Sequence, residues 1–582
     1  MNDYQDPSLP IDRRVEDLLR RMTVAEKAAM MFHPSTAPAG DGLSETEALA
    51  AAERYAGAVG ISHFNVLGGE DSAAVAEWHN TLQEIAESTR LGIPITLSSD
   101  PRHGFRSNLF TGQALDSLSR WPDYPGIAAI GGLDAARTFG DTMRQEFLAM
   151  GIRVLLGPMA DIFSEPRWSR GSGTFGEDPE RVADLTVAFI EALRGGPELG
   201  PESVAAVVKH FPGGGPQLRG DDAHDPRYPE QVYPGGQQEL HLRPFERAFA
   251  AGATQVMTYY GKPVGTAWPE VGFAFNAPVV QDILRRRLGF DGVVVTDWNL
   301  LEAEPMGDLQ FGPNGWGLEH LTPGERAAIA IDVGVDQFGG DRNAALIEEL
   351  VDSGRIRESR LDESIRRLLR EKFRLGVFEH RRVDVARTRE ICGSPEFTAR
   401  GVRAQAQSLV LATADAPVLA TGARVLLDGV AAQAARDAGL VPVTDAAEAD
   451  AIVVRLDAPF TPGRGSLGDF FHGGTLAFDD EILERLTAYA SVAPVFVSVY
   501  LERPAILGPL VEVAAAVVGD FGASDAVLLA ALQGRAAITG AFPFDIPASM
   551  EAVEASREDV PFDTAEPRFH TGFGVRRAQS AG

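Results

Sequence analysis

The sequence predicts an α/β chain in two parts: a (β/α)₈ barrel, then an open and mostly parallel sheet covered by helices on both faces. Three observations carry this. Up to about residue 375, short continuous apolar runs alternate with longer helical patterns, as in parallel strands buried on both faces and joined by helical crossovers. Four of those runs lead into a reactive side chain, and a (β/α)₈ barrel builds its active site at the C-terminal ends of its strands. Beyond about residue 405 a second strand and helix series begins, which implies a separate sheet.

The first ordered element expected is a helix from Thr23. There Thr23-Val-Ala-Glu26 reads as a capping box, in which hydroxyl and carboxylate each satisfy an orphan backbone N–H. The apolar runs of the first part are Ile93–Leu97, Val154–Leu156, Val204–Val208, Gln255–Met257 and Val293–Val295. Val280–Leu288 and Ala344–Val351 are helical patterns of that part, and Pro278 falls in the first turn of the former, where its missing N–H is no loss. Ile93–Leu97 leads into Asp100, Val204–Val208 into Lys209 and His210, Gln255–Met257 into Tyr260, and Val293–Val295 into Asp297.

Regularity fades through 381–405, which reads as a connection between a barrel domain at 1–380 and a second domain at 406–562. In the second, Ala423–Leu427, Ala451–Leu456, Pro494–Tyr500 and Ala514–Gly519 are the expected strands. Ala431–Ala438, Asp480–Ala490 and Ser524–Gln533 are the expected helices. The tail at 563–582 has little pattern and is expected to be loosely held.

Composition narrows the function classes. The net charge of −29, from 53 Lys+Arg against 82 Asp+Glu, repels phosphate backbones and anionic lipid. Neither nucleic acid nor membrane is therefore expected as a partner. A neutral or cationic small molecule fits, and solubility is the simplest use of the acidity. The single cysteine, Cys392, leaves no intrachain disulfide. The segment MNDYQDPSLPIDRRVEDLL has no apolar core of a signal peptide, and no apolar run is long enough to span a bilayer, so a cytoplasmic protein is the expectation. With no zinc spacing, EF-hand loop or phosphate-binding glycine loop, neither metal nor cofactor is expected. A homo-oligomer stays an open alternative.

Together, the strand ends and their flanks carry a resemblance. LGIPITLSSDPRHG (91–104), GPMADIFSEPRWSRGSGTFGEDPE (157–180), VVKHFPGGG (207–215), VMTYY (256–260) and GFDGVVVTDW (289–298) resemble the successive signature segments of glycoside hydrolase family 3, in the family's order and at similar spacing. Residues 400–550 resemble its second domain, an α/β sandwich, through the closing GAFPFDIP (540–547). The resemblance covers most of the chain. It implies a TIM-type barrel followed by that sandwich domain, and an exo-acting retaining β-glycosidase, in first place a β-glucosidase, acting on a small-molecule or oligosaccharide β-glycoside.

The resemblance places the family's nucleophile at Asp297. Retaining hydrolysis needs an ionised carboxylate that attacks the anomeric carbon and later leaves. Nearby cations, here Lys209 and Arg170, favour that form. Asp100, Arg170, Lys209, His210 and Tyr260 match the residues that hold the terminal sugar in the family. Asp100 can accept from two vicinal hydroxyls while Arg170 and Lys209 donate, and Trp298 offers an apolar face to the ring. His103, in the DPRHG turn, reads at least as well as a structural member of that turn.

Two departures from the family pattern matter. After Arg170 the glucosidase pattern continues with an aromatic and a glutamate, but here Gly171, Ser172 and Gly173 follow, so a wider or differently shaped pocket rim is expected. The general acid/base must hold a proton near neutral pH and then return to take one from water. Two-domain β-glucosidases supply a second-domain glutamate, where this chain has Thr461 and Pro462 within RLDAPFTPGRGSLGDFFHGGTLAF (455–478).

Two replacements stand. Asp469 lies further along the same loop. The pair Asp222 and His224 resembles the Asp-x-His dyad of the family's N-acetylglucosaminidases, in which a carboxylate orients an imidazole that titrates near neutral pH. DDAHDPRYPE also reads as a solvated loop that pairs its own charges. His472 reads as a packing and turn element more than as a substrate contact. The alternative functions are a β-N-acetylhexosaminidase or glycoside phosphorylase using the dyad and, in another class, a catalytically silent sugar-binding protein.

Overall fold

The computed structural model describes residues 2–40, 43–107, 113–306, 309–464 and 470–579. Eight parallel strands close into a barrel. The first, β1, is the pair of short segments Phe32–His33 and Ser35–Thr36, broken at Pro34, which has no N–H for a ladder. There follow β2 (His63–Val66), β3 (Thr96–Ser99), β4 (Ile152–Leu155), β5 (Ala205–Phe211), β6 (Gln255–Thr258), β7 (Val293–Trp298) and β8 (Gln337–Gly339). Each pairs in parallel with the next, and β8 returns to Phe32–His33 while β2 takes Ser35–Thr36, which closes the ring.

The five apolar runs correspond to β3 to β7. The strands β1, β2 and β8 have no counterpart among the expected elements, for a physical reason. Their buried positions include His33, His63, Asn65 and Gln337, so no apolar run marks them. Two of these polar groups bond each other: His33 meets Gln337 Oε1 through Nδ1 at 3.2 Å, and it meets Ser98 Oγ through Nε2 at 2.7 Å. Lys372, on helix Glu358–Arg374, donates to Ser62 O, Pro94 O and Thr96 Oγ1 at 2.8, 2.9 and 2.8 Å.

The capping box at Thr23 is formed. Glu26 N donates to Thr23 Oγ1 at 3.3 Å and Thr23 N to Glu26 Oε2 at 2.9 Å, opening helix Val24–Met30. It is not the first helix, however. Ile11–Leu19 precedes it and packs on Glu358–Arg374. Its buried stripe mixes Val15, Leu18 and Leu19 with Arg14 and Asp17, and Arg14 Nε donates to Tyr4 O at 3.0 Å, so charge hides the apolar period. Pro278 opens helix Pro278–Arg287, whose end is wound wide, with Leu288 N bonded to Ile283 O at 2.9 Å.

The connection after the barrel is more regular than its sequence suggests. It contains helices Val385–Ile391 and Pro395–Ser408, capped by Asp384 and Ser394, and Thr388 Oγ1 holds it to Ala149 O at 2.6 Å. The second sheet comprises β9 (Val410–Leu411), β10 (Arg424–Asp428), β11 (Val441–Val443), β12 (Ala451–Asp457), β13 (Val495–Tyr500) and β14 (Ala516–Asp520), in the order β9-β14-β13-β12-β10-β11. It is mostly parallel as expected, with only β9 running antiparallel to its neighbour.

The tail, by contrast, is not loose through residue 577. Phe569, Val575 and Arg577 bridge to Ile546, Leu411 and Ile538, and Phe569 stacks on Phe573 at 4.4 Å. Backbone pairing and ring stacking order a segment that has no periodicity of its own.

Two carboxylates tie the barrel to the second unit. Asp123 accepts from Tyr500 OH while its own N–H donates to Phe521 O at 2.7 Å. Glu177 accepts from Asp545 N at 2.8 Å and Phe562 N at 2.6 Å, and burial pushes its carboxyl up to about 8.

Candidate active site

At the C-terminal ends of the barrel strands lies a cavity of ≈ 440 Å³. Asp100, Arg170, Lys209, His224, Tyr260, Asp297 and Trp298 all line it. A larger cleft of ≈ 630 Å³ opens beside the starts of β6 and β7, at the other end of the barrel, and holds none of them. Size does not identify the site here. Convergent charged groups at strand C-termini do.

Asp297 ends the buried run of β7, so the strand aims its carboxylate into the cavity. Oδ1 accepts from Trp298 N at 2.9 Å. Oδ2 is buried and has no hydrogen-bond partner among the described residues. Burial pushes this carboxyl above its ordinary range, against the pull of His224, Arg170 and Lys209. Across the cavity, Lys209 Nζ donates to Asp100 Oδ1 at 2.7 Å. Arg170 is buried with Nε and Nη1 unpartnered among the described residues. Burial opposes its charge, but Tyr259, Asp222 and Asp297 around it outweigh that and strengthen it.

The loop after β5 brings Asp222 and His224 together. His224 Nδ1 pairs with Asp222 Oδ1, and Tyr259 OH donates to Asp222 Oδ2 at 3.3 Å. Burial alone would raise Asp222, but His224 and Arg170 hold its carboxyl below the usual range. The imidazole lies edge-on to Tyr260 at 4.6 Å and stacks on Phe471, from the second unit, at 4.5 Å. Trp316 Nε1 donates to Ala223 O at 2.8 Å, which fixes the loop between the pair. DDAHDPRYPE is therefore not simply a solvated loop, since Asp221 to Asp225 are buried.

Two of the expected site residues sit behind the wall. Asp222 orients His224 without lining the cavity. His210 does not line it either: its Nδ1 meets Asp161 Oδ2 at 2.9 Å, and its Nε2 stands 3.8 Å from Asp297 Oδ2. Burial, with Arg170 and Lys209 nearby, pushes the His210 imidazole well below its ordinary value. Asp161 lies within GPMADIFSEPR, and no apolar run leads into it to mark it. It also accepts from Gly214 N at 2.5 Å, and a Cβ on Gly215 would lie 2.0 Å from Ile162 O. Gly214 and Gly215 are thus packed against the β4 loop, while a Cβ on Gly213 would meet His241 at 2.9 Å.

Tyr260 OH donates to Trp298 O at 2.8 Å, and Trp298 Nε1 to Ser35 Oγ at 3.3 Å. Asn299, at φ 56°, turns the chain after β7. Asp341 then accepts from the N–H groups of Leu300, Leu301 and Glu302 at 3.1, 3.2 and 3.0 Å, and its burial raises it to about 7. Glu304 and Arg342, paired at 3.2 Å, also line the cavity. No motif marks either, because they come from loops at the ends of different strands.

His103 is structural, as the turn suggested. It is fully enclosed and meets Glu146 Oε2 at 2.9 Å. Asp469 lies outside the described residues. Thr461 turns into its own loop, its N–H on Gly473 O at 2.9 Å and its Oγ1 accepting from Thr475 N at 3.1 Å. His472 stacks on Phe460 at 4.0 Å and meets Glu502 Oε1 at 2.6 Å, so it does pack; it also lines a neighbouring cavity between the two units.

Comparison with known proteins bears on this arrangement. The model of the glycosyl hydrolase family 3 N-terminal domain matches residues 44–371. Beta-glucosidase C of Emericella nidulans is 41% identical over 98% of this chain and 93% of its own length. A periplasmic beta-glucosidase/beta-xylosidase of Dickeya chrysanthemi is 38% identical over 99% of this chain and 91% of its own. Among solved structures, a β-glucosidase from Erythrobacter marinus shares the fold at a TM-score of 0.80 and 22% identity, covering 99% of this chain and 84% of that one. The chain belongs to glycoside hydrolase family 3 and is a glycoside hydrolase.

Proposed function

We propose that this enzyme is an exo-acting retaining β-glucosidase that works through a glycosyl–Asp297 intermediate. The observation that carries this is Asp297 Oδ2, buried, unpartnered among the described residues and facing a cavity that also holds Arg170, Lys209 and Trp298. The names of the relatives at 41% and 38% identity support the β-glucoside substrate.

In this reading the Lys209–Asp100 pair and the spare donors of Arg170 bind the hydroxyls of the non-reducing sugar, with Trp298 against its ring. His210 and Asp222 act as positioning residues. His224 is the acid/base: its proton passes to the leaving oxygen as Asp297 attacks the anomeric carbon, and it then takes a proton from the water that releases the sugar. Support for this role comes from the formed pair with Asp222 and from the imidazole's place in the cavity of Asp297.

The test is release of nitrophenol from aryl β-glucosides, β-xylosides and β-N-acetylglucosaminides, with water and phosphate as competing acceptors. Turnover of the glucoside alone or best, giving glucose with the anomeric configuration retained, is expected. Preference for the N-acetylglucosaminide, or a sugar phosphate as product, would replace the reading. Binding without turnover of any substrate would make the chain a sugar-binding protein. On location, the cytoplasmic expectation rests on the charged N-terminal segment, while two relatives carry the word periplasmic in their names. Cell fractionation tests it.

A further inference from the structure

A second cavity, of ≈ 260 Å³, lies beside the sugar site between the barrel and the second sheet. The two cavities share Leu156, Arg170 and Lys209 as lining. The second does not reach Asp297, Tyr260 or Trp298; it continues past Pro101, the residue after Asp100. In an eight-stranded ring β3 and β7 stand opposite each other, so Asp100 and Asp297 face one another across the mouth. A pyranose whose anomeric carbon meets Asp297 therefore points its 4-hydroxyl and 6-hydroxymethyl groups toward Asp100 and Lys209. A substituent on either oxygen leaves the sugar site in the direction of the second cavity.

The departure at Gly171, Ser172 and Gly173 helps to make this space. A Cβ on Gly171 would lie 2.2 Å from the Phe163 ring, and one on Gly173 would lie 2.2 Å from Met159 Sδ. The turn is thus packed tightly on one side, while Ser172 presents only a hydroxymethyl group to the cavity where larger side chains stand in the glucosidase pattern.

The far wall comes from the second unit. Tyr500 is bonded to Asp123, Glu502 to His472, and the Arg106 guanidinium sits 4.7 Å over the Tyr500 ring while pairing with Asp457. The aromatic faces of this wall, with the Tyr500 and Ser172 hydroxyls and the Asp123 and Glu502 carboxyl groups beside them, offer the apolar faces and hydrogen-bonding groups that a polyhydroxylated ligand uses.

We propose that this cavity is a subsite for one further neutral sugar, carried on the 4- or 6-oxygen of the reacting sugar, so that the enzyme also releases an intact disaccharide. The inference rests on the β-glucosidase reading above. The reaction is the same hydrolysis: the anomeric carbon–aglycone oxygen bond breaks, the aglycone oxygen gains a proton, and water supplies the hydroxyl on the released disaccharide.

Aryl β-gentiobioside and aryl β-cellobioside, compared with the plain aryl β-glucoside, test it on the full chain, with the first products separated by chromatography. Disaccharide and free aryl alcohol are expected from the earliest times, without prior aryl glucoside. Ser172→Trp, which fills the cavity, is expected to cut disaccharide release at least about tenfold and to alter kcat/KM for the aryl glucoside less than about threefold. Glu502→Gln keeps the volume and is expected to act in the same direction more weakly, which covers misfolding of the bulkier variant.

Glucose and aryl glucoside as first products from both disaccharides would overturn the inference. So would disaccharide release that Ser172→Trp lowers only in step with aryl glucoside cleavage. If the plain aryl glucoside is inert, the β-glucosidase reading falls, and this inference with it.

Discussion

The barrel mouth sets one buried histidine–carboxylate pair against another, His103–Glu146 against His224–Asp222, and one buried arginine against another, Arg102 against Arg170. In each couple one member faces the frame and the other the cavity. Glu146 accepts from Ser119 N, Ser119 Oγ and Gly393 N at 3.0, 2.7 and 2.7 Å as well as from His103, all inside the protein. Arg102 donates to Ser99 Oγ, Gly68 O and Val66 O at 2.8, 2.8 and 2.6 Å, and burial draws it down to about 10. Arg170 keeps two buried nitrogens unpartnered among the described residues, near an Asp297 Oδ2 in the same state. Buried polar groups are bonded almost everywhere in proteins. A charge whose donors all reach the chain is a strut, and one with donors to spare in a cavity waits for a ligand.

The sharpest way to test that contrast begins at Asp297. Asp297→Ala is expected to lower kcat for an aryl glucoside by at least about 10⁴-fold, the scale of removing a nucleophile, and azide is expected to restore turnover with inverted product. Next come the two histidines. His224→Ala is expected to cost roughly 10²- to 10⁴-fold on a poor leaving group, the range of general acid–base catalysis, with much less loss on dinitrophenyl glucoside. His103→Ala is expected to leave activity per folded molecule within a few fold while lowering stability by about 3 kcal/mol, as for breaking a buried pair. Equal effects of the two changes on kcat would end the comparison.

pH provides smaller and signed effects. Asp297 must be ionised to attack, and burial raises its carboxyl, so the acid limb of kcat/KM is expected above the ordinary carboxylate range. Glu177 tests the frame. Its folded value of about 8 lies above the ordinary 4.5. Between the two the folded chain keeps a proton that the unfolded chain has lost. Its contribution is complete below the unfolded value and is lost as pH rises to about 8, at about 1.4 kcal/mol per pH unit. Glu177→Gln is expected to flatten the fall in unfolding free energy between pH 6 and pH 8 by that amount, without moving KM. An unchanged slope in denaturant titrations would assign the pH dependence to other groups.

Much of the site was legible because β3, β5, β6 and β7 are apolar runs that lead directly into Asp100, Lys209, Tyr260 and Asp297. Their chemistry lies next to their periodicity. The strands β1, β2 and β8 were not legible, because a barrel interior that bonds His33 to Gln337 and Ser98 needs no apolar pattern. The helix at Ile11–Leu19 was hidden in the same way, by the charges of Arg14 and Asp17 within its buried stripe. The resemblance of VVKHFPGGG to the family's segment sets His210 beside Lys209 among the sugar contacts. In the fold the two side chains diverge, Lys209 into the cavity and His210 back to Asp161.

The residues alone therefore determined the alternation of helices with the apolar strands β3 to β7, the carboxylate at the end of β7 and the acidic balance of the chain. These follow from local rules: strand length, alternation with helices, and the residue that ends each strand. Only the tertiary structure decided that Asp161 and Asp222 stand behind the cavity wall, that Phe471 of the second unit stacks on His224, and that Ser172 and Gly173 border a second cavity. Those depend on loops from different strands and from the second unit meeting at one barrel mouth, and no local period encodes which loop covers which.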